Sequence, residues 1–285
     1  MGHVDNAFAL LKTNLEITDT ESNQAKTRHA LIRNHIRNHW DVAADFLTGS
    51  YDRHTKTKKL KDVDIFVVID PDGAQGYLAK GSGVAAVKKL TSILALKWDD
   101  VEGDDYVATV YYAGEDVASY EVSPVFARDG GGYLMPRGAD WMATDPNIHA
   151  SLVSTKNTSC GEKFVPFVKM VKAINREAGD PISPSFLIEV MALDLVEEPF
   201  GRYQDEIRWF LASAADQILN DWPDPAGLGP NVNSSMTSSE RVGLASTIRE
   251  WLVTTERAIT EEDAGQNNAA VETWRTLFGN RMPRP

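Results

Sequence analysis

The chain has 285 residues, with 42% hydrophobic and 25% charged side chains, the balance of an ordinary globular protein with room for one large domain or two intimate ones. Its 29 basic residues against 41 acidic ones give a net charge of −12, which argues against a broad polyanion-tracking surface and so against DNA or RNA as substrate. No apolar run approaches the ~18 residues of a membrane span, no signal peptide is evident, and the single cysteine, Cys160, excludes an intrachain disulfide, so a cytoplasmic protein with no membrane partner is expected.

Taken in order, residues 4–16 and 22–39 read as helices. His29, His35 and His39 fall among polar positions of the second helix and are expected to be solvated, since none has a zinc-type spacing with cysteine. A short strand ends in Phe46-Leu47 before the Gly49-Ser50 turn. A basic segment, Arg53 to Lys61 with Lys56, Lys58 and Lys59, leads into Asp62-Val63-Asp64 and a run of five apolar residues, read as a strand over 62–70. Gly81-Ser82-Gly83 precedes a helix at about 84–96, and strands follow at 105–112 and 117–126, with a short one at 132–135 after the glycine turn 130–132. From Pro146 the pattern turns helical: 146–156, 162–177, 184–196, 203–220, 238–260 and 264–278, interrupted by a Pro/Gly-rich loop at 222–235. The expected organisation is α+β, with a mixed-sheet half at 1–145 and a helical lobe at 146–285.

Asp62 and Asp64 carry the chemistry. Side chains on a strand alternate faces, so both carboxylates point the same way. At ~4–5 Å and an effective dielectric of ~20 their repulsion costs roughly 3–4 kcal/mol. A divalent cation turns that cost into a binding site, and Mg²⁺ favours such oxygen ligands beside substrate phosphates. Gly49 permits close backbone approach to a phosphate, Ser50 adds a hydroxyl, and the residues after them can open a helix whose N–H groups attract an anion. Two acids opening a strand are also what a solvated strand edge looks like. The apolar run, the Gly-Ser turn and their spacing favour the site. The turn is not a Walker A loop, because no Gly-Lys-Ser/Thr follows Gly49. The basic segment reads equally as a phosphate contact or as a solvated loop.

Gly49-Ser50-Tyr51-x-Arg53-x-Thr55 followed by Asp62-Val63-Asp64-Ile65 resembles the signature of the bacterial cGAS/DncV-like nucleotidyltransferases, within the DNA polymerase β-like superfamily. These are the oligonucleotide cyclases of the CBASS antiphage system. The resemblance implies a polymerase β-like catalytic core with a mixed β-sheet, a helical lobe closing a nucleotide cleft, and a nucleotidyltransferase that makes a cyclic di- or trinucleotide from nucleoside triphosphates. It implies two Mg²⁺ ions, with Mn²⁺ as an alternative, and partners that include activating or effector proteins of a defence operon.

The family carries a third acid two or three residues before a proline on a neighbouring strand. The match is Glu121-Val122-Ser123-Pro124, with glutamate in place of the commoner aspartate. Glu115 and Asp116, in an expected hairpin turn, are weaker candidates. Asp62, Asp64 and Glu121 are thus the implied metal ligands and catalytic residues. By the same resemblance, Lys172, three residues before Asn175, and Ser185 would hold the donor triphosphate, with Lys169 the alternative cation, and Phe186 would stack on the donor base. Glu189 follows in the same helix, and Trp274 to Gly279 resemble the family's C-terminal end, where packing is their expected role. A second enzymatic reading keeps the site and changes the acceptor to an RNA or tRNA end, a small molecule or a protein. A third is an inactive nucleotide-binding scaffold, against which the intact acids argue.

Overall fold

The computed structural model describes residues 2–58 and 60–285; Lys59, named in the basic segment, lies outside the described residues. The chain divides into a sheet unit, residues 17–150, and a helical unit formed by residues 1–16 and 151–285.

The sheet unit begins with α2 (Asp19–Arg37); α1 belongs to the other unit. Thr18 and Glu21 cap its start reciprocally: the Thr18 hydroxyl accepts from Glu21 N–H at 3.1 Å, and Glu21 Oε2 accepts from Thr18 N–H at 2.7 Å. Among the described residues seven strands follow: β1 (Val42–Thr48), β2 (Asp62–Ile69), β3 (Val101–Gly103), β4 (Ala108–Tyr111), β5 (Ser119–Ala127), β6 (Tyr133–Arg137) and β7 (Asp140–Thr144). The order is β1-β2-β5-β4-β3, with β2 and β5 parallel and the other neighbours antiparallel. The far end of β5 pairs with β6, and β6 with β7. Helix α4 (Gly83–Leu94) lies between β2 and β3 in the chain, its start capped by the Ser82 hydroxyl accepting from Ala85 N–H at 3.3 Å.

Strand alternation divides β2 and β5 between two environments. Val63, Ile65, Val67 and Ile69 of β2 and Tyr120, Val122 and Phe126 of β5 bury one face of the sheet in a core with Ile32 and Ile36 of α2 and Val87, Leu90 and Leu94 of α4. The other face carries Asp62, Asp64 and Glu121 at one end. Farther along, it carries a small apolar cluster of Phe66, Val68 and Val125, with Phe46 and Tyr133 against it.

The helical unit contains α1 (His3–Leu15), the length of α5 (Pro146–Ser159) from residue 151, α6 (Phe164–Glu177), α7 (Phe186–Leu195), α8 (Tyr203–Gln217), α9 (Ser238–Asp263) and α10 (Asn267–Phe278). The sequence expectation put the first helix with the sheet half; it packs instead with residues 151–285. Val4, Phe8, Leu11 and Leu15 recur on one helical face and bury there. Phe8 sits edge-on to Trp274 and Phe278, at ring centroids of 5.0 and 6.0 Å.

Two further expectations are corrected. Strands β3 and β7 lie wholly outside the predicted runs, because three residues of Val-Glu-Gly and five of mixed polarity carry no period-2 signal. The α2 histidines are not uniformly solvated. His35 is half-buried, with Nε2 2.8 Å from the Ile93 carbonyl and its ring edge-on to Trp98. His29 lies behind β1, 3.4 Å from Asp45 Oδ1 without an aligned hydrogen bond.

Candidate active site

At the Gly-Ser turn the chain leaves β1 and forms one helical turn, α3 (Gly49–Asp52). Thr48 pairs in register with Asp64, so the residue after it meets the Asp64 side chain. Gly49 adopts φ +65°, and a Cβ there would collide with the Asp64 carboxylate. Glycine is therefore required twice, for the left-handed backbone and for the space beside an acid. The Ser50 carbonyl accepts from Thr55 N–H at 3.0 Å and Lys56 N–H at 3.1 Å, which folds the following loop back onto the turn.

The three acids lie on one face of the sheet, as the alternation of strand side chains requires. Asp64 pairs in parallel register with Glu121, and Asp62 with Ser119. Neighbouring strands run ~4.8 Å apart, so Asp62, Asp64 and Glu121 share one face at the start of β2 and β5. All three are half-buried. Burial first, and then the Asp64 charge, raise the Glu121 pKa above the ordinary carboxylate value; Lys56 opposes the rise, and Asp104 adds to it. Glutamate at this position departs from the commoner aspartate and still lies on the acid face.

A set of three carboxylates with one elevated pKa is the donor chemistry of a hard divalent cation, which takes oxygen ligands and stabilises the ionised forms. The residues fit such an ion. In the observed arrangement Asp62 instead pairs with Lys56, and among the described residues no three His, Cys, Asp or Glu side chains already converge into a metal-holding group. Lys56 is the charged neighbour of Asp62 that the sequence did not single out from its basic segment; its place six residues before Asp62 was the available signal. Glu115 is engaged by Arg28, whose guanidinium also lies 4.4 Å from the centre of the Tyr112 ring.

In the helical unit, Lys172 and Glu189 form an ion pair at 2.6 Å, with the Glu189 side chain fully buried. Lys172 is thus tied to α7, a partnership the sequence order did not reveal. Ser185 is exposed and begins α7 without a side-chain capping bond, and Phe186 packs half-buried against the helical core. Asn175 accepts from Ile182 N–H at 2.8 Å and donates to the Ile182 carbonyl at 3.1 Å, fixing the segment before Ser185. Lys169, the alternative cation, is buried and pairs with Glu16 at 2.6 Å. A cavity of ≈ 800 Å³ in this unit is lined by Leu152, Lys156, Asp194, Glu198, Asp221 and Trp222, among others, and by none of the candidate residues. Three acids against one lysine make it a poor place for a triphosphate.

Residues 1–157, more than half of the chain, match the Second Messenger Oligonucleotide or Dinucleotide Synthetase domain. The chain belongs to this family. It is accordingly a nucleotidyltransferase of the cyclic-oligonucleotide-synthase kind, and enzymes of this family normally use a divalent metal. A curated relative, the cyclic AMP-AMP-AMP synthase of an Acinetobacter species, is 23% identical over 301 residues, covering 97% of this chain and 84% of its own. The fold is that of the CD-NTases. CdnC of Escherichia coli MS115-1, solved with ATP, superposes with a TM-score of 0.73 at 18% identity over 99% of both chains. CdnG of Bradyrhizobium diazoefficiens, solved with GTP, gives 0.75 at 15% identity over 98% of this chain and 95% of its own. CdnC has also been solved in complex with HORMA-deltaN. Among the described residues no helix is long and apolar enough to cross a membrane.

Proposed function

We propose that Asp62, Asp64 and Glu121 are the metal ligands of this synthase, that they hold two Mg²⁺ ions, replaceable by Mn²⁺, and that the product is a cyclic di- or trinucleotide messenger of antiphage defence. The observation that carries the reading is the parallel register of Asp64 with Glu121, which puts three carboxylates on one sheet face beside the Gly49-Ser50 turn. The two ions, when bound, would lower the pKa of an acceptor ribose hydroxyl and neutralise charge on the departing pyrophosphate.

The chain's own residues supply the rest. Gly49 and Ser50 bring backbone and hydroxyl against a triphosphate, next to the acids. In the helical unit Lys172 and Ser185 contribute contacts to the donor triphosphate, and Phe186 offers a ring to its base. An acceptor hydroxyl attacks the α-phosphorus of the donor, forming one phosphodiester and releasing one pyrophosphate. Cyclisation repeats the step with the free hydroxyl and the remaining triphosphate of the linear intermediate, so each phosphodiester costs one pyrophosphate. The partner proposed beyond the nucleotides is an activating or effector protein of a defence operon, a reading supported by the CdnC complex with HORMA-deltaN, with no membrane and no nucleic acid required. The cytoplasm is the proposed compartment.

The test uses α-labelled nucleoside triphosphates and Mg²⁺ without primer, followed by phosphatase and chromatography, with and without added RNA. A closed ring has no terminal phosphate, so label is expected in a small phosphatase-resistant product that RNA neither stimulates nor diverts. Label found only on lengthened RNA would replace the cyclase with a tailing enzyme.

A further inference from the structure

Lys56 brings a cation to the acid face. Its Nζ donates to Asp62 Oδ1, and its side chain is only 12% exposed. It also acts on Glu121, whose raised pKa it partly offsets. Its backbone is held as well. Lys56 N–H donates to the Ser50 carbonyl at 3.1 Å, beside Thr55 N–H at 3.0 Å. Four residues on, Leu60 N–H donates to Glu21 Oε1 at 3.0 Å, and that buried carboxylate also caps α2. Arg53, Thr55, Thr57 and Leu60 are all buried. The loop therefore offers the ammonium at a fixed point rather than letting it wander in solvent.

We propose that Lys56 is an internal counter-cation of the acid face, occupying Asp62 in the metal-free protein and yielding it when a divalent ion binds. The proposal rests on the reading of Asp62, Asp64 and Glu121 as metal ligands. The Lys56 ammonium carries a single positive charge against three carboxylates, so it does not neutralise them by itself. A divalent ion would carry twice the charge and take several oxygen ligands, so it would compete with Lys56 for the Asp62 carboxylate. Lysine suits the exchange because it is a compact point charge on a flexible stem, with no bidentate geometry to lose. Once released, it lies within a side chain's swing of the Gly-Ser turn, where a phosphate oxygen can take Asp62's place as its partner.

The test is a Mn²⁺ titration by electron paramagnetic resonance without nucleotide, on the full chain as parent, Lys56→Met, Lys56→Arg and Asp64→Asn, with melting curves in chelator alongside. Lys56→Met is expected to bind Mn²⁺ three- to ten-fold more tightly than the parent, to melt lower in chelator, and to gain more from added Mn²⁺. Its KM for nucleoside triphosphate at saturating Mg²⁺ is expected to rise, and Lys56→Arg, which keeps the charge, should bind Mn²⁺ no more tightly than the parent. Equal or weaker Mn²⁺ binding by Lys56→Met, with binding by the parent lost in Asp64→Asn, would overturn the counter-cation and leave the metal site standing. Undiminished binding in Asp64→Asn, or no binding by any of the variants, would overturn the metal-site reading and this proposal with it.

Discussion

Gly49 condenses the argument at the scale of a single residue. Its positive φ and the Asp64 carboxylate in the place of a Cβ are two separate reasons for glycine. A left-handed residue other than glycine costs about 1–2 kcal/mol, and a misplacement of about 1 Å at a reacting centre can cost ~100-fold in rate. Gly49→Ala is therefore expected to lower stability modestly and activity severely, by roughly a hundred-fold or more. Melting curves and initial rates at saturating nucleotide check this; a variant that loses stability but keeps its rate would detach Gly49 from the site. Much of this residue-level picture was legible in the sequence, because the Gly-Ser turn and the Asp-x-Asp strand are local patterns and strand alternation fixes their faces. Lys56 on Asp62 and Lys172 on Glu189 were not legible as pairs. The first depends on how a loop folds back onto Ser50, and the second joins residues on two different helices.

Helix and strand contacts make further predictions at the scale of elements. On the outer edge of the sheet, Asp45 of β1 receives Arg37 at 2.5 Å, Arg33 at 3.7 Å and His29 at 3.4 Å from α2. Burial lowers the His29 pKa below its usual 6.5; Asp45 opposes the shift and Arg33 adds to it. The folded protein thus binds fewer protons than the unfolded chain below pH 6.5. Stability is expected to fall as pH drops through 6.5 towards the folded value, by about 1.4 kcal/mol for each unit of depression. His29→Gln should flatten that acid limb in denaturant titrations at several pH values. Identical limbs in parent and variant would remove His29 as its source.

The pair between α6 and α7 needs a different design. Lys172→Met alone leaves the fully buried Glu189 without this partner, and breaking a buried pair costs about 3–5 kcal/mol. The double variant Lys172→Met/Glu189→Leu replaces the pair with apolar groups at little net cost to the fold. In that background a lost donor contact is expected to weaken triphosphate binding by about 1.5–3 kcal/mol, read by calorimetry. Parent-like affinity would withdraw Lys172 from the donor site.

For the whole molecule, composition and motif reached further than element prediction did. The strand pattern and the switch to helices after Pro146 anticipated an α+β chain, and the resemblance of Gly49 to Thr55 and Asp62 to Ile65 implied the nucleotidyltransferase. The family match and the shared CD-NTase fold agree with that reading. The grouping of α1 with residues 151–285 was hidden, because it depends on Phe8 meeting Trp274 and Phe278 at the other end of the chain. No local pattern encodes a contact of that sequence separation. Ring size, base choice and linkage depend on which nucleotides the folded site accepts, and they are read from product rather than from sequence.

The central claim is that the acid face of β2 and β5 closes nucleoside triphosphates into a ring. Mass spectrometry of the product from an equimolar mixture of the four nucleoside triphosphates with Mg²⁺ tests it most directly, with Asp64→Asn run in parallel. A ring of n units weighs n nucleoside monophosphates less n waters, with n pyrophosphates released. Loss of a metal ligand should remove several kcal/mol of transition-state stabilisation, about a thousand-fold in rate. The account predicts that mass for two or three units from the parent and none from Asp64→Asn. A product that keeps a terminal triphosphate, or the same ring made at the parent's rate by Asp64→Asn, would contradict it.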